Sequence, residues 1–376
     1  MSHKNFIRKS VALLLMVAAL AGYMTIPGQS ILLPARVDVQ AATLPDDIRG
    51  VWISLFDYKK IGLYNKSEQK FIAGAEAHFK KLKKDGINTV FCHTVPCNDA
   101  IYPSEYLSWS TYMFQAGAEP DYDPLEILIE TAHKYGMTLH AWINPYRKTL
   151  KTIYDPGKAS STNRVVRIVK EILENYDVDG IHFDDYFYPS RSKGAQLYKV
   201  PVSKRKTVIN KMIRKVYKTV KSYDENLLFG ISPAGVVSYA ESIGCDLKTW
   251  LSKDGYMDYI VPQIYWSDQY KINGKVTTLF TDRLNQWISL NKNDTPMYIG
   301  LGLYRGGTRI SSDIGWHKKN NNIVTQIKKV KRAGCDGFVF FSSAYLYTDS
   351  TKKEVKNYRT YIHSLIQESE EDETSE

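Results

Sequence analysis

Residues 179–189 read Asp-Gly-Ile-His-Phe-Asp-Asp-Tyr-Phe-Tyr-Pro. The turn pair Asp179-Gly180 opens a β-prone run over 180–184, and the run closes in two adjacent acids. Side chains alternate along a strand, so His182 and Asp184 share one face while Asp185 stands at or just past the strand end. Seven further β-prone runs lie at 50–54, 89–94, 138–143, 228–232, 259–265, 297–301 and 337–342. Helix-period stretches separate or follow them at 68–84, 124–135, 162–176, 204–222, 245–253, 278–290, 322–333 and 353–366. Asp123 as cap, Pro124 at the first helical position and Glu126 two residues on mark the second helix start. Gly86, Gly136 and Gly334 each end a helix just before a strand.

Strands and helices in strict alternation require right-handed crossovers and a parallel sheet covered on both faces. The expectation is a single α/β domain over 46–366, a (β/α)8 barrel of the TIM type with extended βα loops. A doubly wound open sheet is the structural alternative. In such barrels chemistry sits at the C-terminal strand ends, which makes the acids of 179–189 the first candidates.

The composition, 376 residues with 43% hydrophobic, 24% charged and 12% aromatic, excludes a disordered or fibrous chain. Lys4, Arg8 and Lys9 precede a short apolar run over 11–22, and Val39-Gln40-Ala41 offers a cut before Ala42, so 1–41 read as a secretory signal. The apolar run is shorter than the ~20 residues that span a bilayer, and no later segment is long and apolar enough. No cysteine near the cut offers a lipid site. The expected mature protein is extracellular or cell-wall associated, with no integral membrane segment and the monomer as default state.

The formal charge is +10, and the signal carries Lys4, Arg8, Lys9 and Arg36 against Asp38, which leaves +7 on the rest. The run 368–376 holds six acids and no apolar residue, so 367–376 are expected as an acidic disordered tail. A basic body suits an anionic surrounding such as a cell wall, and no motif for nucleic acid is present. Cys92, Cys97, Cys245 and Cys335 match no zinc spacing and are too few for a disulfide scaffold. Cys92 and Cys97 could pair across a loop, but Cys92 sits in an apolar strand pattern that favours the core.

Several strand ends carry a resemblance. Arg49-Gly50-Val51-Trp52, Tyr122-Asp123-Pro124-Leu125, the run 141–147 (AWINPYR), 179–189 (DGIHFDDYFYP), Ile231-Ser232-Pro233, Pro262-Gln263-Ile264-Tyr265-Trp266 and 336–342 (DGFVFFS) follow one another in order. The chain thereby resembles the glycosyl-hydrolase-like family 10 of bacterial envelope proteins, the domain of unknown function 187 type, over about 47–345. The resemblance implies a barrel glycosidase, with some members acting on peptidoglycan strands stripped of their peptides. The second strand departs from the family's usual Gln-Val-Arg-Pro: His93 replaces the glutamine and Val95 the arginine, and only Asp99 and Ala100 carry over from the following loop.

Crowded carboxyls raise one another's pKa, as acid catalysis near neutral pH requires. Asp184 and Asp185 are therefore expected to be catalytic. The plain alternative is a helix cap with an ion pair to Arg147 or Arg191. An ordinary retaining glycosidase uses two carboxylates ~5–5.5 Å apart, commonly closing strands four and seven, yet 299–305 hold no acid. The fourth strand is instead similar in layout to the DGxDxDxE strand of family 18 chitinases, with His182, Asp184 and Tyr186 at the acid positions. That resemblance implies an N-acetyl group as nucleophile, with Asp184 orienting it or stabilising the cationic intermediate, Asp185 donating the proton and Asp99 in reserve.

Asn144, Tyr146 and Arg147 close the third strand, and Gln263, Tyr265 and Trp266 the sixth. Amides and phenols match sugar hydroxyls, and Trp266 suits stacking on a pyranose. Trp52, His93, Asp99, His182 and Tyr186 complete the expected substrate contacts, although core packing accounts equally well for Trp52, Trp142 and Phe341. Two rival classes remain. His93, His182 and Asp184, with His140 deeper, could form a metal site for a hydrolase or deacetylase, and a barrel that binds cell-wall glycan without turnover is the other. No phosphate loop, GxSxG elbow or HExxH is present, and no organic cofactor is implied.

Overall fold

Among the described residues nine short strands run parallel in one curled sheet: β1 Ile48–Ile53, β2 Thr89–Val95, β3 Thr138–Ile143, β4 Gly180–Asp184, β5 Leu228–Ser232, β6 Tyr259–Ile260, β7 Gln263–Ile264, β8 Tyr298–Leu301 and β9 Gly337–Phe341. Their order across the sheet is β6-β5-β4-β3-β2-β1-β9-β8-β7. The two end strands are neighbours in the chain, parted only by Val261 and Pro262, and Ile260 bridges Met297 while Gln263 bridges Ala234. The one strand expected over 259–265 is therefore two, because Pro262 has no N–H to give the ladder.

The computed structural model describes residues 47–189 and 195–375, all within the compact unit Ala41–Glu376. The expected signal, 1–41, and Arg191 lie outside the described residues. Seven longer helices cover the outer face: α1 Glu68–Lys84, α2 Pro124–Lys134, α3 Ala159–Asn175, α4 Val202–Tyr223, α5 Leu279–Leu290, α6 Asn322–Arg332 and α7 Lys352–Ser375. The carboxylate of Asp123 caps α2 by accepting from Leu125 N and Glu126 N, at 3.0 and 3.2 Å. Past α1, α2 and α6, Gly86, Gly136 and Gly334 take the left-handed φ values of 73°, 66° and 70° that their positions call for. The helix expected over 245–253 is shorter, Leu247–Trp250, behind another short one, Val237–Ser242. At the end of the chain α7 carries its helical backbone through Ser375, where a disordered tail is expected. No glycine or proline interrupts that stretch, and glutamate is a good helix former.

All four cysteines are free thiols, and Cys92 is buried in β2 as the apolar pattern suggests. No described helix is long and apolar enough to cross a membrane.

The N-terminal edge of the sheet is tied by one repeated device. The residue just ahead of a strand accepts the N–H at the start of its neighbour: Asn88 from Arg49 at 2.9 Å, Asp179 from Leu139 at 2.6 Å, Asp258 from Phe229 at 2.8 Å and Asp336 from Met297 at 2.8 Å. The Asp-Gly pairs of 179–180 and 336–337 thus belong to the fold rather than to chemistry, on the edge away from the strand ends that carry the acids. Inside the curl, large rings face glycines. Trp52, Phe91, Trp142, Tyr259, Tyr298 and Val339 form an inner cluster. A Cβ on Gly230 would lie 2.0 Å from the Tyr259 ring, and one on Gly180 2.5 Å from His140 Nδ1.

Gly230→Ala is expected to lower stability by about 1–3 kcal/mol through overpacking against Tyr259, read as a lower denaturant midpoint at unchanged slope. An unchanged midpoint would show that the interior yields.

Candidate active site

Following inward-facing residues towards the C-terminal ends of seven of these strands arrives at one cleft. It has a volume of about 230 Å³ and is lined by Trp52, Ser54, Leu55 and Phe56 after β1, His93 on β2, and Trp142, Asn144 and Arg147 at and after β3. Asp184 and Tyr186 come from β4, Ser232 from β5, Gln263 and Tyr265 from the split sixth stretch, and Phe341 from β9. Among the described lining residues Asp184 is the one acid and Arg147 the one lysine or arginine.

Asp184 is buried, and its Oδ1 accepts from Asp185 N at 2.9 Å and from the Gln263 amide at 3.1 Å. The same amide nitrogen reaches Ser232 O and Oγ, at 3.0 and 3.1 Å, so β5 and β7 together hold the carboxylate in place. Burial pushes the Asp184 pKa up, against the lowering effect of the Asp185 N–H, Arg147 and Gln263. Asp185 does not line the cleft. The alternation of β4 persists past the strand end and turns its carboxylate outward, where Oδ2 accepts from Ala234 N at 2.6 Å. Burial first, and then the Asp184 charge, hold Asp185 well above the usual carboxylate range, so the pair favours sharing one proton.

The β2–β3 wall carries polar atoms without partners. His93 accepts from Leu55 N at Nδ1, 3.3 Å away, and stacks on Trp142 at 3.7 Å and 7°. Burial, then Arg147 and His182, keep the ring neutral, so the proton sits on Nε2. That Nε2, Trp142 Nε1 and Asn144 Oδ1 are buried and have no hydrogen-bond partner among the described residues. Asn144 itself is fixed by donating from Nδ2 to Pro96 O at 2.7 Å. The wall thus presents two N–H donors and one carbonyl acceptor.

Beneath the floor a polar chain crosses the interior. Trp52 Nε1 donates to His182 Nε2 at 3.1 Å, His182 Nδ1 meets Tyr259 Oη at 3.1 Å, and that hydroxyl meets His140 Nδ1 at 2.9 Å. Indole N–H only donates, so His182 is protonated at Nδ1 and donates to Tyr259 Oη, whose own O–H donates to His140 Nδ1. Both His182 nitrogens are occupied, which removes it from the proposed His93/His182/Asp184 metal set. Among the described residues no group of three or more His, Cys, Asp or Glu is placed to hold a metal ion.

Of the expected residues, Trp52, His93, Asn144, Arg147, Asp184, Tyr186, Gln263 and Tyr265 meet in the cleft. Asp185, Asp99, Tyr146, His182 and Trp266 do not line it. Asp99 lies in a two-residue strand, Asp99–Ala100, in the excursion beyond β2 and accepts from Cys97 N at 3.0 Å. Tyr146 is buried with its hydroxyl 3.4 Å from Thr162 Oγ1. Trp266 falls on the outward parity after Tyr265, against Gly235, and His182 sits one inward position below Asp184. Strand parity could have found Ser54 and Ser232, and it assigns Trp142 and Phe341 to the cleft as well as to the core. Leu55 and Phe56 carry no chemical signal in sequence.

A family model described as Glycosyl hydrolase-like 10 matches residues 47–152 and 148–318. The chain is 28% identical to glycosyl hydrolase DigH of Escherichia coli strain K12, over 94% of this chain and 96% of the relative. It is 30% identical to glycosyl hydrolase YngK of Bacillus subtilis, over 69% of this chain and 61% of the relative. Among solved structures, the glycoside hydrolase domain of PgaB (BpsB) from Bordetella bronchiseptica superposes with a TM-score of 0.56 at 11% identity, covering 82% of this chain and 98% of that one. A family 18 N-acetylglucosaminidase from Paenibacillus barengoltzii gives 0.52 at 11% identity, covering 76% and 97%. At such identities these structures speak for the fold alone, a curled parallel sheet of the TIM-barrel kind.

The imidazole resonances of His93, His140 and His182 are expected to remain those of neutral rings between about pH 7.5 and 5.5, since burial lowers all three pKa values, His140 to about 4. A protonation shift of any of them in that window, followed by NMR, would overturn the assigned tautomers.

Proposed function

The chain belongs to the glycosyl hydrolase-like 10 family, and on that premise we propose that it is a secreted (β/α)8-barrel glycosidase cleaving the N-acetylated glycan of peptidoglycan strands that have lost their stem peptides. Asp184 is the reacting carboxyl. The observation that carries the reading is the pairing of one buried carboxyl with two free donors and one free acceptor in a cleft the size of a sugar unit. An acetamido group complements this wall: its carbonyl oxygen accepts from one N–H and keeps a lone pair for the anomeric carbon, its N–H gives to Asn144 Oδ1, and the second N–H is left for a sugar hydroxyl.

The cleft's single acid fits a reaction in which the substrate supplies the nucleophile. The acetamido oxygen attacks the anomeric carbon while protonated Asp184 gives its proton to the departing glycosidic oxygen. Water then adds to the anomeric carbon, returning a proton to Asp184 and releasing the acetamido group, so one water is consumed per bond cut. Asp185, behind Asp184, keeps the shared proton available instead of donating it to the sugar. Exposed Phe56, edge-on to Tyr112 at 6.2 Å, and exposed Tyr186 supply aromatic rings in the cleft lining, suited to a polymer. The basic body and the expected signal agree with action at an anionic cell wall.

The test is to incubate residues 42–376 with peptidoglycan, with and without prior amidase treatment, and identify new reducing ends by mass spectrometry. New ends on the amidase-treated glycan are expected with the native protein, with turnover reduced at least 10²-fold in Asp184→Asn, the lower range for losing a general acid. Binding without cleavage would instead indicate a glycan-binding barrel. Asp185→Asn removes the neighbouring charge that opposes loss of the pair's last proton, so the alkaline limb of the pH–rate profile should move to lower pH. An unmoved limb would separate Asp185 from the reacting carboxyl.

A further inference from the structure

Arg147 is a cation in the cleft that forms no ion pair among the described residues. Its guanidinium lies 3.5 Å from the Tyr186 ring centroid, and among the described residues no carboxylate comes within ion-pair distance of it. Asp184 is the natural partner on the same wall, yet the Asp184 oxygen with defined bonds is engaged by Asp185 N and Gln263. A guanidinium set over the Tyr186 ring keeps its in-plane N–H donors for other partners, and that fork suits a planar two-oxygen acceptor. Arg147 also lies near enough to Asp184, Tyr186 and His93 for its charge to act on all three, which places it centrally in the cleft. A half-buried cation left unpaired among the described residues is suited to an anion brought by the ligand.

We infer that Arg147 binds a substrate carboxylate, the free lactyl carboxylate of N-acetylmuramic acid, and so selects glycan from which the stem peptide has been removed. The inference rests on the glycosidase reading above. In an intact strand that carboxyl is tied up as an amide to the first residue of the peptide, with no charge and a bulky substituent. Cutting the amide exposes the anion, and one substituent then reports whether the strand has been stripped. Asp184 and the acetamido-binding wall act on the sugar itself, which leaves this contact to Arg147.

The experiment compares three substrates for the native protein and for Arg147→Met and Arg147→Lys. The substrates are amidase-stripped strands, the same strands with the lactyl carboxyl converted to its methylamide, and chitin oligosaccharides. The native protein is expected to favour the free acid over the methylamide by about 10–100-fold in kcat/KM, mostly through KM, the range for a charge-assisted hydrogen bond. That ratio should collapse towards one in Arg147→Met whatever its overall rate, and recover in part in Arg147→Lys. Equal cleavage of acid and methylamide by the native protein, or a ratio that survives Arg147→Met, would overturn the inference while leaving the glycosidase reading intact. Failure of the native protein to cleave any of the three would remove both.

Discussion

One hydrogen bond crosses the inside of the curled sheet, from the Trp52 indole on β1 to His182 on β4, and the site above depends on it. Because indole can only donate, the bond sets the proton on the far side of His182, and through Tyr259 it sets His140 as well. The rings in this chain are neutral and buried, so the floor beneath Asp184 is apolar in charge though not in hydrogen bonding. A protonated imidazole there would pull Asp184 back towards an ordinary carboxylate. The neutral floor is thus one reason a carboxyl at this strand end can hold a proton at all.

Much of the architecture was legible because two periods are visible in the sequence. Strands 138–143, 180–184 and 228–232 occur where the β-prone runs place them, and the glycines after α1, α2 and α6 mark real helix ends. Most of the remaining boundaries shift by one to three residues, and Pro262 splits a strand that its apolar pattern presents as one. The site was legible in so far as parity holds. Asp184, Asn144 and Gln263 face inward at strand ends, whereas Asp185 and Trp266 fall on the outward parity and Tyr146 lies beyond the turn that follows β3. What sequence could not convey is which buried atoms stay unpaired, since that depends on distances between strands far apart in the chain.

The departures at His93 and Val95 acquire a meaning from that geometry. Val95 is packed in the outer core at the bulge of β2, remote from any role in chemistry. His93 instead lies flat on Trp142 and turns one N–H to the cleft, beside an indole N–H and an amide oxygen. A glutamine at this position would offer both a donor and an acceptor on a flexible stem, while a neutral, stacked imidazole offers one fixed donor. The change therefore narrows what this wall can accept without removing its capacity to bind.

The ties made by Asn88, Asp179, Asp258 and Asp336 all lie on the edge of the sheet opposite the cleft. Strand registration is thereby secured by residues that never meet a substrate, and the loops at the other edge are released from that duty. Insertions, deletions or wholesale exchange of those loops can then change what the protein recognises without disturbing how its strands find one another. The fold carries its own separation between inheritance of shape and exploration of chemistry, which makes this sheet a durable platform for diversification.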